Sequence, residues 1–104
     1  MYEPGDVVLA YLQYADSQGI KQRPAVVLYE EQGNIVVAGI TSNPHRVGVP
    51  ITTEEGMMVD SIIRTNYIFT TVDFMVKKRL FKLSKNKKRE VYSALKERLG
   101  RLIE

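Results

Sequence analysis

From position 6 to position 69 the chain is a succession of short β-branched runs broken by clusters of glycine, proline, asparagine and charged residues. This rhythm predicts an all-β barrel or sandwich. After a Glu3-Pro4-Gly5 turn, residues 6–14 (DVVLAYLQY) read as a first strand and the polar residues 15–22 (ADSQGIKQ) as an exposed loop. Residues 23–29 (RPAVVLY) form a near-continuous apolar run, as a strand packed on both faces does. Pro24 lacks a ladder donor and belongs at the start of that strand. Residues 30–33 (EEQG) turn the chain into a third strand, 34–40 (NIVVAGI). A polar loop, 41–47 (TSNPHRV), leads to a short strand at 49–51, where Pro50 argues for an edge. Residues 56–60 fit no single element, 61–69 (SIIRTNYIF) read as another strand, and 80–83 as a short last one.

The end of the chain changes period. Ser84 is a suitable N-cap, and Val91, Leu95, Leu99 and Leu102 recur at helical spacing, forming one apolar stripe. Lys88, Arg89, Lys96, Arg98 and Arg101 fall elsewhere on that helix, and Gly100 weakens its final turn by about 1 kcal/mol relative to Ala. The expectation is one mainly β domain over 1–104: an antiparallel barrel of five or six strands at about 5–83, closed by a C-terminal helix at about 85–103.

Composition narrows the function. Without cysteine there is no disulfide framework and no thiolate metal site, and one histidine, His45, cannot anchor a zinc site without several carboxylates. The start, with Glu3 and Asp6 and no apolar run, does not read as a signal peptide. Apolar stretches reach about five residues, far from the roughly 20 needed to span a bilayer. A cytoplasmic protein without membrane contact and without a cofactor is expected. Charge is uneven: before position 76, Lys21, Arg23, Arg46 and Arg64 face nine carboxylates, whereas from there on eleven Lys or Arg face three Glu. Such asymmetry suits either a polyanionic or acidic partner or simply a solvated helix face.

Three segments in order resemble the MazF/PemK toxin family: Gly5-Asp6-Val7-Val8, then Lys21-Gln22-Arg23-Pro24-Ala25-Val26-Val27-Leu28, then Ile40-Thr41-Ser42. Asp60-Ser61-Ile62-Ile63-Arg64, Thr70-Thr71-Val72-Asp73 and the tail Arg79-Leu80-Phe81-Lys82-Leu83-Ser84 continue the likeness over nearly the whole chain. The resemblance implies an SH3-like barrel that dimerises and cleaves single-stranded RNA at short sequences without a metal. It also implies an antitoxin protein that covers the RNA groove, with operator DNA reached only through that antitoxin. By the family's pattern Arg23 and Thr41 are the catalytic pair. A few members use the Arg of the Ile-Ile-Arg block with an Asp two residues later. Here that pair reads Arg64 and Asn66, and an amide cannot accept a proton as a carboxylate does.

The residues suit this chemistry. Metal-free cleavage lets the 2′-hydroxyl attack phosphorus, giving a 2′,3′-cyclic phosphate and a free 5′-hydroxyl. An arginine fork donates paired hydrogen bonds to phosphate oxygens and stays charged. Thr41 can hold the phosphate or the attacking hydroxyl but is a poor base. Histidine is the side-chain type suited to proton transfer near neutral pH, which makes His45 the accessory proton-transfer candidate, and Arg64 is a candidate second phosphate ligand. Lys21, Tyr14, Ser42, Asn43 and Asn66 are candidate RNA contacts, with Tyr11 and Tyr14 offering faces for unpaired bases. Each has a structural counterpart: Arg23 capping the barrel or pairing with Asp6 or Asp16, Thr41 and Asn43 satisfying a turn, the tyrosines half-buried in a strand. The competing function is a non-catalytic SH3-like module for nucleic acid or peptide, and beyond it a purely structural dimer that holds a peptide partner in its groove. For the dimer that the resemblance implies, Met57, Met58 and Phe74 are the interface candidates.

Overall fold

The β-branched runs form the six strands of one antiparallel sheet in a computed structural model that describes residues 1–13 and 19–104. They are β1 (Asp6–Leu12), β2 (Lys21–Glu31), β3 (Asn34–Thr41), β4 (Val49–Ile51), β5 (Ser61–Val72) and β6 (Val76–Lys82). A helix α1 (Lys85–Gly100) and a 3-10 turn (Arg101–Ile103) follow. Strand order is β4-β5-β3-β2-β1-β6. The sheet curls into a half-barrel, and its ends β4 and β6 each pair on one side only.

Strand alternation gives the sheet two apolar faces. Along β2, Val26 joins Val7, Ala38, Ile40, Ile63 and the helical Val91 in one buried cluster. Its neighbours Ala25 and Val27 join Val8, Ala10 and Val37 in a second, against which Tyr67 and Phe69 pack. Burial on both sides is why the middle of β2 is apolar at every position. Gln32 and Gly33, with φ of 52° and 82°, turn β2 into β3. Two successive positive φ values match the twist of the flanking strands.

The edges are guarded. β4 has three residues, the middle one Pro50, as expected for a strand unable to donate along its length. β6 exposes Lys77, Lys78, Arg79 and Lys82. It starts at Val76, not at position 80, because those charges hide the strand's period; two register shifts against β1 blur it further. β2 likewise starts two residues earlier than expected, so Pro24 is its fourth residue, opposite Leu9. β1 ends at Leu12.

Ser84 caps α1, its hydroxyl oxygen accepting from the Lys87 amide at 3.1 Å. Val91 is buried and Leu95 half-buried, but Leu99 is 66% exposed and Leu102 84%, so only the first half of the stripe is covered. The α-helix stops at Gly100 and continues to Ile103 as a tighter turn. Lys87 goes inward: its Nζ donates to the Pro50 carbonyl at 2.7 Å and lies 3.4 Å from both Glu55 and Glu90. A cation buried to this degree is tolerated only when so compensated, and it ties the helix start to β4. Asp6, 1% exposed, is likewise held by Arg79 at 2.9 Å and by the Glu3 amide at 2.8 Å. Among the described residues no helix is long and apolar enough to cross a membrane.

Candidate functional site

β2 and β3 pair Val27 with Val37 and Ala25 with Gly39. The ladder ends there; the same register extended by two residues would bring Arg23 opposite Thr41. Thr41 in turn pairs with Ile62 of β5. Arg23 shares the side of β2 that carries Ala25 and Val27, and Thr41 shares the side of β3 that carries Val37. Both therefore face away from α1, toward the second apolar cluster.

A large bulge brings a third residue to the same side. β3 and β5 pair Ile40 with Ile63 and Ala38 with Ile68, so Gly39 alone stands against residues 64–67. Bulges of this kind re-aim side chains and concentrate beside functional sites. Ile63 lies in the cluster under α1, so Arg64 turns to the opposite side. Arg64 is 7% exposed, and its guanidinium carbon lies 4.1 Å from the centroid of the Tyr67 ring. Tyr67 rests against Phe69, with ring centroids 4.8 Å apart and planes tilted by 54°. The Nε atoms of Arg23 and Arg64 are both buried. Two cations with buried stems thus share one face of the sheet, an arrangement suited to a phosphodiester.

The loop after β3 is built by its own side chains. Thr41 Oγ1 accepts from the Asn43 amide at 3.2 Å, and Asn43 Oδ1 accepts from the His45 amide at 2.9 Å. The Arg46 amide donates to the Asn43 carbonyl at 3.2 Å. Asn43 therefore serves the turn, and Ser42, Asn43 and His45 are exposed along its rim. The loop returns tightly at Gly48, where an added Cβ would lie 2.0 Å from the Ile63 carbonyl oxygen.

The other candidates fall around this face unevenly. Lys21 is exposed at the start of β2, opposite Leu12. Beside it, Gln22 Nε2 donates to the Tyr11 hydroxyl at 3.1 Å. Asn66 is exposed at the crest of the bulge. Tyr14, Asp16 and the first half of the expected loop over the groove (15–18) lie outside the described residues. Asp6, a candidate structural partner of Arg23, is engaged by Arg79 and by Lys82 at 3.9 Å. Reading motifs alone missed Tyr67, although an aromatic three residues after the Ile-Ile-Arg block was visible. Among the described residues no group of three or more His, Cys, Asp and Glu side chains gathers as a metal-ion site would.

The sequence pattern shared by the PemK-like, MazF-like toxins of type II toxin–antitoxin systems matches residues 3–99. The chain belongs to this family. No curated protein matches it significantly. Among solved structures it is similar to the Mycobacterium tuberculosis toxin MazF-mt6, at 19% identity and a TM-score of 0.77, covering 91% of this chain and 96% of that one. It is also similar to a chain of the MazE–MazF structure from Deinococcus radiodurans, at 18% identity, a TM-score of 0.75 and coverage of 95% and 96%. A third similar chain is in a mycobacterial endoribonuclease structure with its cognate antitoxin, at 15% identity, a TM-score of 0.72 and coverage of 95% and 93%. The mainly β antiparallel fold with a C-terminal helix, expected from the strand rhythm and the resemblance as a barrel, is observed as a curled half-barrel of MazF-like fold.

Proposed function

We propose that this MazF-like toxin is a sequence-specific endoribonuclease that cleaves single-stranded RNA without a metal ion. The observation that carries the reading is that strand alternation sets Arg23 of β2 and Thr41 of the neighbouring β3 on the same side of the sheet, beside the β5 bulge that holds Arg64. In the step proposed, the 2′-hydroxyl loses its proton and its oxygen bonds to phosphorus. The bond from phosphorus to the 5′-oxygen breaks, and that oxygen takes up a proton. Arg23 stabilises the charge that builds on the phosphoryl oxygens, where one well-placed donor is worth about 3 kcal/mol. Thr41, already accepting from the Asn43 amide, has its hydroxyl proton left to donate to the phosphate or the attacking oxygen. Arg64, backed by Tyr67, binds phosphate, and His45 on the loop rim is the candidate for proton transfer. Lys21, Ser42, Asn43 and Asn66 border the strand of RNA, with Tyr14 as a further contact.

The solved complexes of similar chains support an antitoxin partner. In this reading the antitoxin covers the RNA groove, the pair acts in the cytoplasm, and operator DNA is met only through the antitoxin. A homodimer is part of the same reading. Met58 and Phe74 are almost fully exposed and suit contact with a second copy, whereas Met57 packs against the cluster beneath α1.

An end-labelled single-stranded RNA of mixed sequence, incubated in excess EDTA with wild type and with Arg23→Ala, tests the proposal. Discrete cuts ending in cyclic phosphate, lost in the variant, are expected. The Arg64–Asn66 pair, which lacks a carboxylate, favours one rival: a barrel that holds RNA uncut. RNA that shifts on a gel with strong salt dependence and stays intact would establish that rival.

A further inference from the structure

Thr41, Ile62 and Pro50 stand abreast across three strands. Thr41 of β3 pairs with Ile62 of β5, and Ile62 pairs on its other side with Pro50 of β4. Residues 42–48 join Thr41 to β4, so the loop bearing Ser42, Asn43 and His45 crosses β5 with one foot on each side of it.

The two feet are held differently. β3 runs between two long strands, β2 and β5. β4 has three residues, pairs with β5 alone, and its middle residue is a proline with no N–H to give. What secures this second foot is Lys87, 8% exposed near the start of α1. Its Nζ donates to the Pro50 carbonyl at 2.7 Å. Glu55, 3.4 Å from the same nitrogen, accepts from the Thr52 amide at 3.0 Å, so the residue just after β4 is held as well. Burying a cation is costly, and an apolar side chain of similar volume often serves stability as well or better. A buried lysine on the edge strand is better suited to fixing one arrangement than to adding stability.

We infer that Lys87 is a positioning residue for the loop of Ser42, Asn43 and His45. Through Pro50 it fixes the second foot, and with it the direction in which the loop meets the face of Arg23 and Thr41. The consequence for cleavage rests on the ribonuclease reading; the hold on the loop does not.

Lys87→Met removes the ammonium group and keeps an unbranched apolar stem. Amide hydrogen exchange is followed at His45, Arg46 and Ile51 and, in the central strands, at Val26 and Val37. The first three should exchange about tenfold or more faster in the variant, with Val26 and Val37 within about threefold of wild type. Equal acceleration at all five would show a general loss of stability and overturn the inference, as would an unchanged loop. The second readout is the relative rate of cutting at different sequences in one mixed RNA. Loss of folded protein scales every cut alike, whereas a loosened loop changes their ratio. The ratio between preferred and poor sites should narrow about tenfold, and a preserved ratio overturns the positioning role. If wild type leaves the RNA intact, the ribonuclease reading falls by itself, and exchange still decides whether Lys87 holds the loop. Should Lys87→Met fail to fold, wild type in low urea decides. There β4, the loop and the first turn of α1 should open as one unit, and separate openings overturn the inference.

Discussion

Arg64 and Tyr67 close the β5 bulge on itself, the guanidinium carbon standing 4.1 Å from the centroid of the aromatic ring three residues on. The ring does two things at once. Its face attracts the cation in a partly desolvated setting, and the ring also packs, tilted, against Phe69 and the second apolar cluster. The bulge thus presents a charge in a fixed direction although it has left the ladder with β3.

Replacing that ring should therefore be felt in RNA handling. Tyr67→Leu keeps apolar volume and is expected to lower kcat/KM about tenfold to thirtyfold, the equivalent of ~1–2 kcal/mol of lost cation–ring attraction. Tyr67→Phe keeps the face and should stay within about twofold of wild type. Equal losses in both would show that the hydroxyl, not the ring, is what matters.

Arg23 separates charge from shape. Arg23→Lys keeps a cation but loses the planar fork, and a drop in kcat of about a hundredfold is expected with little change in melting temperature. Steady-state cleavage beside a thermal melt checks this. Full activity with lysine would reduce Arg23 to a general electrostatic role.

Gly48 is a question of space. An alanine there would drive its Cβ to 2.0 Å from the Ile63 carbonyl oxygen, and backbone cannot give way as a flexible side chain does. Gly48→Ala should cost about 1–3 kcal/mol and loosen β4 from β5. Urea unfolding gives the cost, and hydrogen exchange at Ile51 and Ile63 shows where it falls. An unchanged midpoint would mean that the loop re-routes freely.

Glu55 links stability to acidity. Burial is the largest single influence on its carboxyl and pushes the pKa up. The Thr52 amide bond, the Lys87 charge and the bonds from the Thr52 hydroxyl and Lys87 together outweigh it, leaving the pKa below its ordinary 4.5. A folded-state pKa below the unfolded one contributes stability that is present above the unfolded value and lost as pH falls through the folded value. Denaturation midpoints should thus decline below about pH 4.5, and Glu55→Gln should flatten part of that decline. Identical acid profiles for variant and wild type would remove Glu55 from the account.

Much of the architecture was legible because local and tertiary preferences agree. The Gln32-Gly33 turn, the Pro50 edge, the Ser84 cap and the two-faced β2 each follow from residues whose backbone or burial requirements admit few alternatives. The face holding Arg23 and Thr41 follows from strand alternation once the strands are paired. Three features were hidden for separate reasons. The first half of β6 is masked by lysines placed for solvent rather than for packing. The β5 bulge leaves no mark in a run that reads as an uninterrupted strand. Lys87 is buried only because Pro50, Glu55 and Glu90 come together around it in the fold, and Pro50 and Glu55 are remote from it in sequence. Tyr67 went unnoticed because its role exists only in the bulge.

The guarded edges of the sheet have a consequence for how this protein meets others. Many folds recruit a peptide by letting it lie alongside an outer strand and complete the ladder. Here one outer strand is three residues long with a proline at its centre, and the other is studded with lysine and arginine. The first offers no length of bare backbone to a newcomer, and the second surrounds its free edge with charge. Recognition is left to surfaces and side chains, which can be released as readily as they are engaged, and the chain is spared the runaway strand stacking that an open, curled sheet would otherwise invite.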